Sequence, residues 1–383
     1  MKSDIDRWLT AYQSRQFNRR SFLASLAALA VSGCSPTDNA GSSVLDSTNA
    51  SLTALAPPLG PPIPVQSINH MTLSVSDPAA SLAWYQGLFG MPIAARQGDT
   101  IVMQVGDGPQ FIALGGTGGD NPRITHLCLA VENFNDERIG QLLADNGIAA
   151  TGASGAMQSR VRMRGAEAGG APAGTPELYF GDADGIVVQL QDTTYCGGAG
   201  LLGEACLASP EPAPGRGLLR LREFNHFTLF VSDQARSIEL YQRLFGLPID
   251  TYQGAMPVLR VGTGKQFLAL AQVPQLAGRI HHASMAVDNF NVENIFALLQ
   301  SYGLTVLGEA AGATGPLQTY VTLRGPDRGG AVDGTPELYF TDPDGILIQL
   351  QDSSYCGGNG YLGDECGTVE NPTGANSPAV AGR

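Results

Sequence analysis

The sequence predicts an α+β protein of two homologous domains, each built from two βαβββ modules that form a half-open barrel. The first observation is an internal duplication, because Thr175–Cys206 recurs as Thr335–Cys366 with 22 of 32 positions identical. The second is the alternation of short runs of strand character with single helices inside each copy. The third is the content of 49 glycines, which is typical of a chain with many turns and strands.

The hydrophobic pattern of the first copy predicts its elements in order. The first module has a strand over 70–75, a helix over 79–89 and strands over 101–105 and 111–114. The second module has a strand over 126–131, a helix over 136–146 and strands over 160–163, 177–180 and 186–191. The second copy repeats this order at an offset of 156 residues early and 160 residues late.

Residues 1–34 are predicted to be an export signal and not part of the fold. The pair Arg19 and Arg20 precedes a short apolar run, which resembles a twin-arginine signal. The small residues that end at Cys34 resemble a lipobox, so we expect a lipid-anchored protein in the periplasm or cell envelope. The alternatives are an ordinary amphipathic helix, or cleavage after Ala30 that would release a soluble protein.

Composition and linker-like segments set the expected domain limits. The chain carries 35 acidic and 22 basic residues, a net charge of -13, which argues against binding to nucleic acid. Partners are therefore expected to be a small-molecule substrate and, through the lipid anchor alone, a membrane. After the signal we predict a flexible tether over 35–64, a first domain over 65–206, a linker over 207–222, a second domain over 223–366 and a disordered tail over 367–383.

Four cysteines form two pairs with identical spacing. Cys196 and Cys206 lie ten residues apart, and Cys356 and Cys366 occupy the matching positions of the second copy. Outside the cytoplasm, local pairs of this kind predict two disulfides. A zinc site is the less favoured alternative, because no histidine lies nearby in the sequence.

Four of the five histidines occupy equivalent positions in the two copies. His70 and His226 are expected to open the first strand of each copy, and His126 and His282 follow 56 residues later. This repeated placement indicates imidazole chemistry, and hydrogen-bonded core histidines are the alternative.

The motifs around these histidines resemble the vicinal oxygen chelate superfamily, which includes glyoxalase I, bleomycin-resistance proteins and extradiol dioxygenases. They are His-x-x-Leu-x-Val-x-Asp, Tyr-x-x-Leu-Phe-Gly-x-Pro and Phe-x-Asp-x-Asp-Gly-x-x-x-Gln-Leu, and the resemblance covers most of 65–195 and 221–355. It implies a divalent metal, Fe(II) or Mn(II) first and Zn or Ni as alternatives. The implied ligands are His70, His126 and Gln189 in the first copy and His226, His282 and Gln349 in the second.

The third ligand position departs from the pattern of the extradiol enzymes, which usually carry Glu there. A tyrosine ten residues before the ligand is shared with those enzymes, and a glutamate lies two residues earlier. These glutamates could supply the missing negative charge, as metal ligands or as partners of the ligands, or they could pair with arginines on the sheet surface. The candidate catalytic residues are Tyr179, Tyr339, Glu177 and Glu337.

The resemblance therefore implies a metal-dependent enzyme that acts on a small, oxygen-rich, catechol-like substrate. Oxidative C–C cleavage is the leading reaction. A lyase or isomerase of the glyoxalase type, which uses the metal as a Lewis acid, is the first alternative. A metal-free protein that binds or sequesters a small molecule is the second.

Overall fold

The structure, a computed structural model, describes residues 60–116, 121–307 and 312–366. The predicted signal, most of the tether, the lipidation site Cys34 and the tail after residue 366 lie outside the described residues. Among the described residues, no helix combines the length and the apolar character needed to cross a membrane.

The first repeat is a nine-stranded sheet with two helices. Its strands lie in the order β2-β3-β4-β1-β5-β9-β8-β7-β6. The helices are α1 (Pro78–Phe89) and α2 (Asp136–Asp145). The strands are β1 (Val65–Ser74), β2 (Ile93–Gln97), β3 (Thr100–Gln104), β4 (Phe111–Gly115), β5 (Arg123–Val131), β6 (Ala149–Ala150), β7 (Gln158–Arg164), β8 (Thr175–Gly181) and β9 (Val187–Asp192).

The second repeat has the same topology, with the order β11-β12-β13-β10-β14-β18-β17-β16-β15. Its helices are α3 (Gln234–Phe245) and α4 (Val292–Ser301). Its strands are β10 (Leu221–Val231), β11 (Ile249–Gln253), β12 (Met256–Arg260), β13 (Phe267–Gln272), β14 (Arg279–Val287), β15 (Thr305–Val306), β16 (Gln318–Arg324), β17 (Thr335–Thr341) and β18 (Leu347–Asp352). This duplicated, sheet-dominated architecture confirms the predicted fold class.

The first strands are longer than the sequence pattern predicts. His70 is the sixth residue of β1 and His126 is the fourth residue of β5, so neither opens its strand. The reason is that β1 begins at Val65, whose buried side chain belongs to the core and whose backbone pairs with Val131 of β5. The histidines consequently lie inside the sheet, where neighbouring strands fix their positions.

Local capping explains where the first helix of each repeat begins and ends. The side chain of Asp77 accepts hydrogen bonds from the backbone N–H groups of Ala79 and Ala80, and Pro78 occupies the first turn. Gly90 ends the helix in the left-handed conformation, at φ 66°. Asp233 and Gly246 have the same roles in α3.

The two repeats share one continuous hydrophobic core. Trp84 and Phe89 of α1 pack on Phe340 of β17 with ring centroids 5.9 and 6.0 Å apart. In the reciprocal contact, Phe245 of α3 lies 6.0 Å from Phe180 of β8. The first helix of each repeat therefore covers the sheet of the other, so the two repeats support one another.

Polar side chains fasten this arrangement where the Asp-x-Asp-Gly turns meet the opposite repeat. The Tyr85 hydroxyl donates to Asp342 at 3.0 Å, and the Tyr241 hydroxyl donates to Asp182 at 3.2 Å. All four side chains are buried. The Asp-x-Asp-Gly turn, which the two copies share, is thus an interdomain contact and not a part of the candidate metal site.

The two predicted disulfides are present. Cys196 is bonded to Cys206 and Cys356 to Cys366, each with a Cα–Cα distance of 6.1 Å. They close glycine-rich loops that follow the last strand of each sheet, which brings them next to the candidate sites described below.

Candidate metal centre

Three neighbouring strands bring the predicted ligands of the first repeat to one face of the sheet. His70 on β1 and Gln189 on β9 both pair with Cys128 on the intervening strand β5. His126 lies two residues before Cys128, and side chains two residues apart in a strand point to the same face. The order of the strands thus gathers residues that lie more than 100 positions apart in the chain.

Hydrogen bonds to the protein fix the tautomer of His70. The Asn69 side-chain amide donates to the carbonyl oxygen of Tyr195 at 2.8 Å, so its Oδ1 faces the imidazole. His70 Nδ1 lies 2.7 Å from that oxygen and must donate to it. His70 Nε2 therefore carries a lone pair, which is directed at Gln189 Oε1 at 3.1 Å.

A second chain of hydrogen bonds fixes His126 in the same tautomer. The Thr125 hydroxyl donates to the carbonyl oxygen of Thr72 at 3.1 Å. Its oxygen is then free to accept from His126 Nδ1 at 3.0 Å. His126 Nε2 carries the lone pair and has no hydrogen-bond partner although it is buried.

These residues fit a divalent metal ion. His70 Nε2 and Gln189 Oε1 lie 3.1 Å apart, and each can donate a lone pair to a cation bound beside them. The buried, unpartnered Nε2 of His126 is a third donor, and outer hydrogen bonds that hold histidine rings are typical of metal sites. Among the described residues, no three His, Cys, Asp or Glu side chains form a cluster that could hold a metal ion. The donor set is two neutral imidazoles and one amide, and it therefore carries no charge.

Burial keeps the imidazoles unprotonated. It lowers the pKa of His126 to about 4 and the pKa of His226 to about 3. Burial, together with the nearby charge of His126, also lowers the pKa of His70 well below its usual value. Neutral imidazole is the form that binds metal ions, so these rings are in the ligating state at neutral pH.

The second repeat has the same hydrogen bonds around its first histidine, His226, but different contacts around its second histidine, His282. Asn225 donates to the Tyr355 carbonyl at 2.7 Å and accepts from His226 Nδ1 at 2.8 Å. His282 Nε2 lies 3.3 Å from His226 Nε2 and also 3.2 Å from the Thr228 hydroxyl. The His282 Nδ1 atom contacts His281 at 2.8 Å, where the first repeat has Thr125. The Gln349 amide nitrogen is buried without a partner, as is that of Gln189.

Glu177 lies beside the first site, but its carboxylate is fully engaged. Its Oε1 accepts from Arg164 Nε at 2.7 Å and from the Tyr195 hydroxyl at 3.0 Å. Its Oε2 accepts from Arg162 Nε at 2.7 Å and from the Tyr179 hydroxyl at 3.1 Å. Burial opposes ionisation, yet the two guanidinium groups lower the pKa of Glu177 below its usual value. Of the two roles considered from the sequence, the structure shows the pairing with arginine, but Glu177 and Arg164 are buried and do not lie on the sheet surface.

Glu337 has the corresponding position in the second repeat, with one arginine fewer. It accepts from Arg324 at 2.8 Å, from Tyr355 at 3.2 Å, from Thr322 at 3.3 Å and from Tyr339 at 3.4 Å.

The two candidate tyrosines are held as proton donors. Burial and the neighbouring carboxylate raise the pKa of Tyr179 well above its usual value, and the same causes raise the pKa of Tyr339. The Tyr179 ring meets His126 edge to face, with centroids 5.4 Å apart. Tyr339 meets His282 in the same way at 5.3 Å.

A cavity of about 330 Å³ opens above the first site. Its lining includes His70, His126, Gln189 and Tyr179. It shares Arg123, Thr125 and Val187 with a larger cleft of about 640 Å³ that both repeats line. The first site therefore communicates with a space large enough for a small organic molecule.

The residues that orient the ligands and the arginines that line the cavity were not predicted from the sequence. Asn69 and Asn225 precede the first histidine in both copies, and this repeated Asn-His pair was a usable signal. Arg160 and Arg162 of β7 carried no such signal, because the matching positions of the second copy hold Tyr320 and Thr322.

Comparisons with known proteins agree with this fold. The family model described as the Glyoxalase/Bleomycin resistance protein/Dioxygenase superfamily matches residues 67–190 and 223–350. No curated protein sequence matches the chain significantly.

The structure is similar to a catechol 2,3-dioxygenase, with a TM-score of 0.50 and 16% identity over 75% of this chain and 88% of that one. A Mn(II)-bound glyoxalase from Novosphingobium aromaticivorans has a TM-score of 0.50 and 16% identity, over 75% of this chain and 82% of that one. The 2,3-dioxygenase LapB from Pseudomonas sp. KL28 has a TM-score of 0.52 and 14% identity, over 75% of this chain and 92% of that one. At these identities the likeness shows the fold, and the family match in both repeats shows that the chain belongs to the Glyoxalase/Bleomycin resistance protein/Dioxygenase superfamily.

Proposed function

We propose that this protein is a metal-dependent enzyme that acts on a small substrate with adjacent oxygen atoms, of the catechol type. Oxidative C–C cleavage is the leading reaction. One observation carries the proposal: His70, His126 and Gln189 direct three lone-pair donors, two of them in tautomers fixed by protein hydrogen bonds, to one wall of a cavity. The similar fold of a Mn(II)-bound glyoxalase supports a divalent ion, and that of a catechol 2,3-dioxygenase supports a substrate of the catechol type.

In this proposal the first repeat holds the principal site. When bound there, a divalent metal supplies a Lewis acid that can hold two adjacent substrate oxygens. The chain's own residues hold the donor atoms, shape the cavity and keep a proton on Tyr179 next to His126. The Tyr179 hydroxyl donates its proton to Glu177 Oε2, so its oxygen can accept a hydrogen bond from a substrate hydroxyl, and Tyr179 is the candidate residue that orients the substrate.

The neutral donor set favours a second candidate reaction. Two imidazoles and one amide leave the full charge of a divalent ion available, which strengthens it as a Lewis acid. A lyase or isomerase of the glyoxalase type needs that property and no oxygen. Oxygen uptake with a panel of catechols separates the two reactions, because the lyase or isomerase converts its substrate at an unchanged oxygen concentration.

Metal content tests the proposal directly. The purified protein should bind Mn(II) in titration calorimetry, with up to two ions per chain. His126→Ala should remove the first site and His282→Ala the second, and both variants should keep the circular dichroism spectrum of the wild type. If the wild-type protein carries no divalent metal and gains none on titration, the enzyme proposal fails and a metal-free binding protein takes its place.

We also propose that the chain is exported and lipid-anchored through Cys34. The support is the order of the paired arginines, the apolar run and the small residues before the cysteine. Replacing Arg19 and Arg20 by lysine should leave the protein in the cytoplasm, and Cys34→Ser should release it from membranes. Unchanged fractionation of both variants would contradict this proposal.

A further inference from the structure

The two candidate sites share their ligand types but differ in the charge around them. The cavity of the first site is lined by Arg123, Arg160 and Arg162, and its described lining contains no aspartate or glutamate. The whole chain is acidic, with a net charge of -13. The lining of this cavity of about 330 Å³ is in contrast basic, because it contains three guanidinium groups. Such a cavity attracts an anion and raises its local concentration.

Arg123 and Arg160 are the cations in this group that form no ion pair with a described acidic side chain, and Arg123 is exposed and donates to the Asn121 carbonyl at 2.9 Å. Arg160 is therefore the half-buried cation of the cavity that is available to a ligand. Its guanidinium carbon lies 4.6 Å from the centroid of the Tyr179 ring, over the face of the ring. Arg162, in contrast, forms an ion pair with Glu177, and no described acidic side chain pairs with Arg160. Arg160 is half-buried, so part of its guanidinium group faces the cavity and can donate to a ligand.

The second repeat has lost both of these charges at the same register. Arg160 and Arg162 pair across β7 and β8 with Tyr179 and Glu177. Their counterparts across β16 and β17 are Tyr320, which pairs with Tyr339, and Thr322, which pairs with Glu337.

In the second repeat, the ring of Tyr320 covers Tyr339 in the way that the Arg160 guanidinium group covers Tyr179. Tyr320 stacks on Tyr339 with centroids 5.1 Å apart and an interplanar angle of 14°, where Arg160 covers Tyr179. The duplication thus places a cation at one site and a neutral ring at the other, on the same backbone.

We propose that the first site is specific for an anionic substrate whose carboxylate pairs with Arg160, and that the second site, where Tyr320 occupies the position of Arg160, lacks this preference. This inference rests on the proposed function, because it takes the bound molecule to be the metal-chelating substrate. A planar guanidinium group can form two parallel hydrogen bonds to a carboxylate, which gives direction as well as attraction. The Tyr179 ring beneath Arg160 holds the guanidinium plane while the ligand enters.

The test uses two catechols that differ in charge, 3,4-dihydroxybenzoate and 4-methylcatechol. Each is titrated by calorimetry into Mn(II)-loaded His282→Ala protein, which retains the first site, and into Mn(II)-loaded His126→Ala protein, which retains the second. At low ionic strength the first site should bind the anion about tenfold more tightly than the neutral catechol, the scale of one hydrogen bond to a charged group. Added salt should reduce that ratio, and the second site should show no preference for the anion.

Two further variants separate the role of Arg160 from the intrinsic affinities of the two catechols. In the protein that retains the first site, Arg160→Gln should abolish the preference and leave the affinity for 4-methylcatechol within about twofold, because the neutral ligand forms no charged contact. Arg160→Lys should keep part of the preference, since it retains the charge but not the planar fork. In the protein that retains the second site, Tyr320→Arg should create a preference for the anion.

The outcomes distinguish this inference from the proposed function. If both catechols bind with the metal but Arg160→Gln leaves their affinity ratio unchanged, the specificity inference is overturned and the metal-dependent function stands. If neither Mn(II) nor either catechol binds to the first site, the proposed function fails and the inference fails with it.

Discussion

Nδ1 of His70 lies 2.7 Å from Oδ1 of Asn69, and the equivalent atoms of His226 and Asn225 lie 2.8 Å apart. In both repeats the asparagine is itself held by a backbone carbonyl of the loop that carries the disulfide, through Tyr195 or Tyr355. This continuous chain of contacts runs from a covalent cross-link to Nδ1 of the imidazole, and it leaves Nε2 of the same ring as the donor to a metal ion. The orientation of the first ligand is therefore built into the fold and does not depend on a bound ion.

The first prediction concerns Asn69. Asn69→Leu removes the acceptor that keeps the proton of His70 on Nδ1, so the ring is free to rotate or to change tautomer. In the His282→Ala background, affinity for Mn(II) should fall by about 10–100-fold, the range for residues that orient metal ligands. Asn225→Leu in the same background is the matched control and should leave the affinity of the first site unchanged. Equal affinities for the two variants would show that Asn69 does not orient the ligand.

The second prediction concerns the neutral ligand Gln189. Gln189→Glu puts a carboxylate of nearly the same shape beside His70 Nε2, so affinity for a divalent ion should rise by on the order of tenfold or more. Without metal the same change buries an unpaired charge, so the variant should be less stable than the wild type in the presence of chelator. Thermal unfolding with EDTA and with Mn(II) measures both effects. A variant destabilised by the same amount in both conditions would argue that Gln189 is not a ligand.

Sequence patterns predicted the fold well because its main signals are local and repeated. The strand and helix periods can be read within a few residues, and the duplication repeats them at an offset of 156–160 residues. Short elements such as β6 at Ala149–Ala150 were missed, since two residues carry no period.

The site was predicted only in part, because its decisive features depend on contacts between distant residues. That Glu177 pairs with Arg162 and Arg164 follows from the β7–β8 register, which no sequence period reveals. The interdomain role of Asp182 likewise depends on Tyr241 from the other repeat.

The third prediction concerns the disulfide between Cys196 and Cys206. Replacing both cysteines by alanine reopens a short loop, and the free energy of unfolding should fall by about 2–3 kcal/mol in the chain-entropy account. Because that loop presents the Tyr195 carbonyl to Asn69, the affinity of the first site for Mn(II) should fall as well. Replacing Cys356 and Cys366 should lower stability similarly but affect the second site. If metal binding at the first site is unchanged while stability falls, the disulfide stabilises the fold alone.

The fourth prediction concerns the pH dependence of stability at the interdomain contacts. Burial raises the pKa of Asp182 and of Asp342 to about 6, from an ordinary value near 3.8. The folded state therefore binds protons more tightly than the unfolded state. This contribution to stability is fully present below pH ~4 and is lost as the pH rises through about 6. Between pH 7 and pH 5 it should raise the free energy of unfolding by roughly 2–3 kcal/mol for the pair.

Replacing both aspartates by asparagine isolates this contribution. The asparagine oxygen can still accept from the backbone N–H groups of Asp184 and Ile186, and the fold should therefore be retained. Histidines with a lowered pKa oppose the effect in both proteins, since they lose stability as the pH falls, and they cancel when the two proteins are compared. Urea unfolding at pH 5, 6 and 7 measures the difference. The stability gap between wild type and the double variant should shift toward the wild type as the pH falls, and a gap independent of pH would show that the two aspartates do not bind protons more tightly in the folded state.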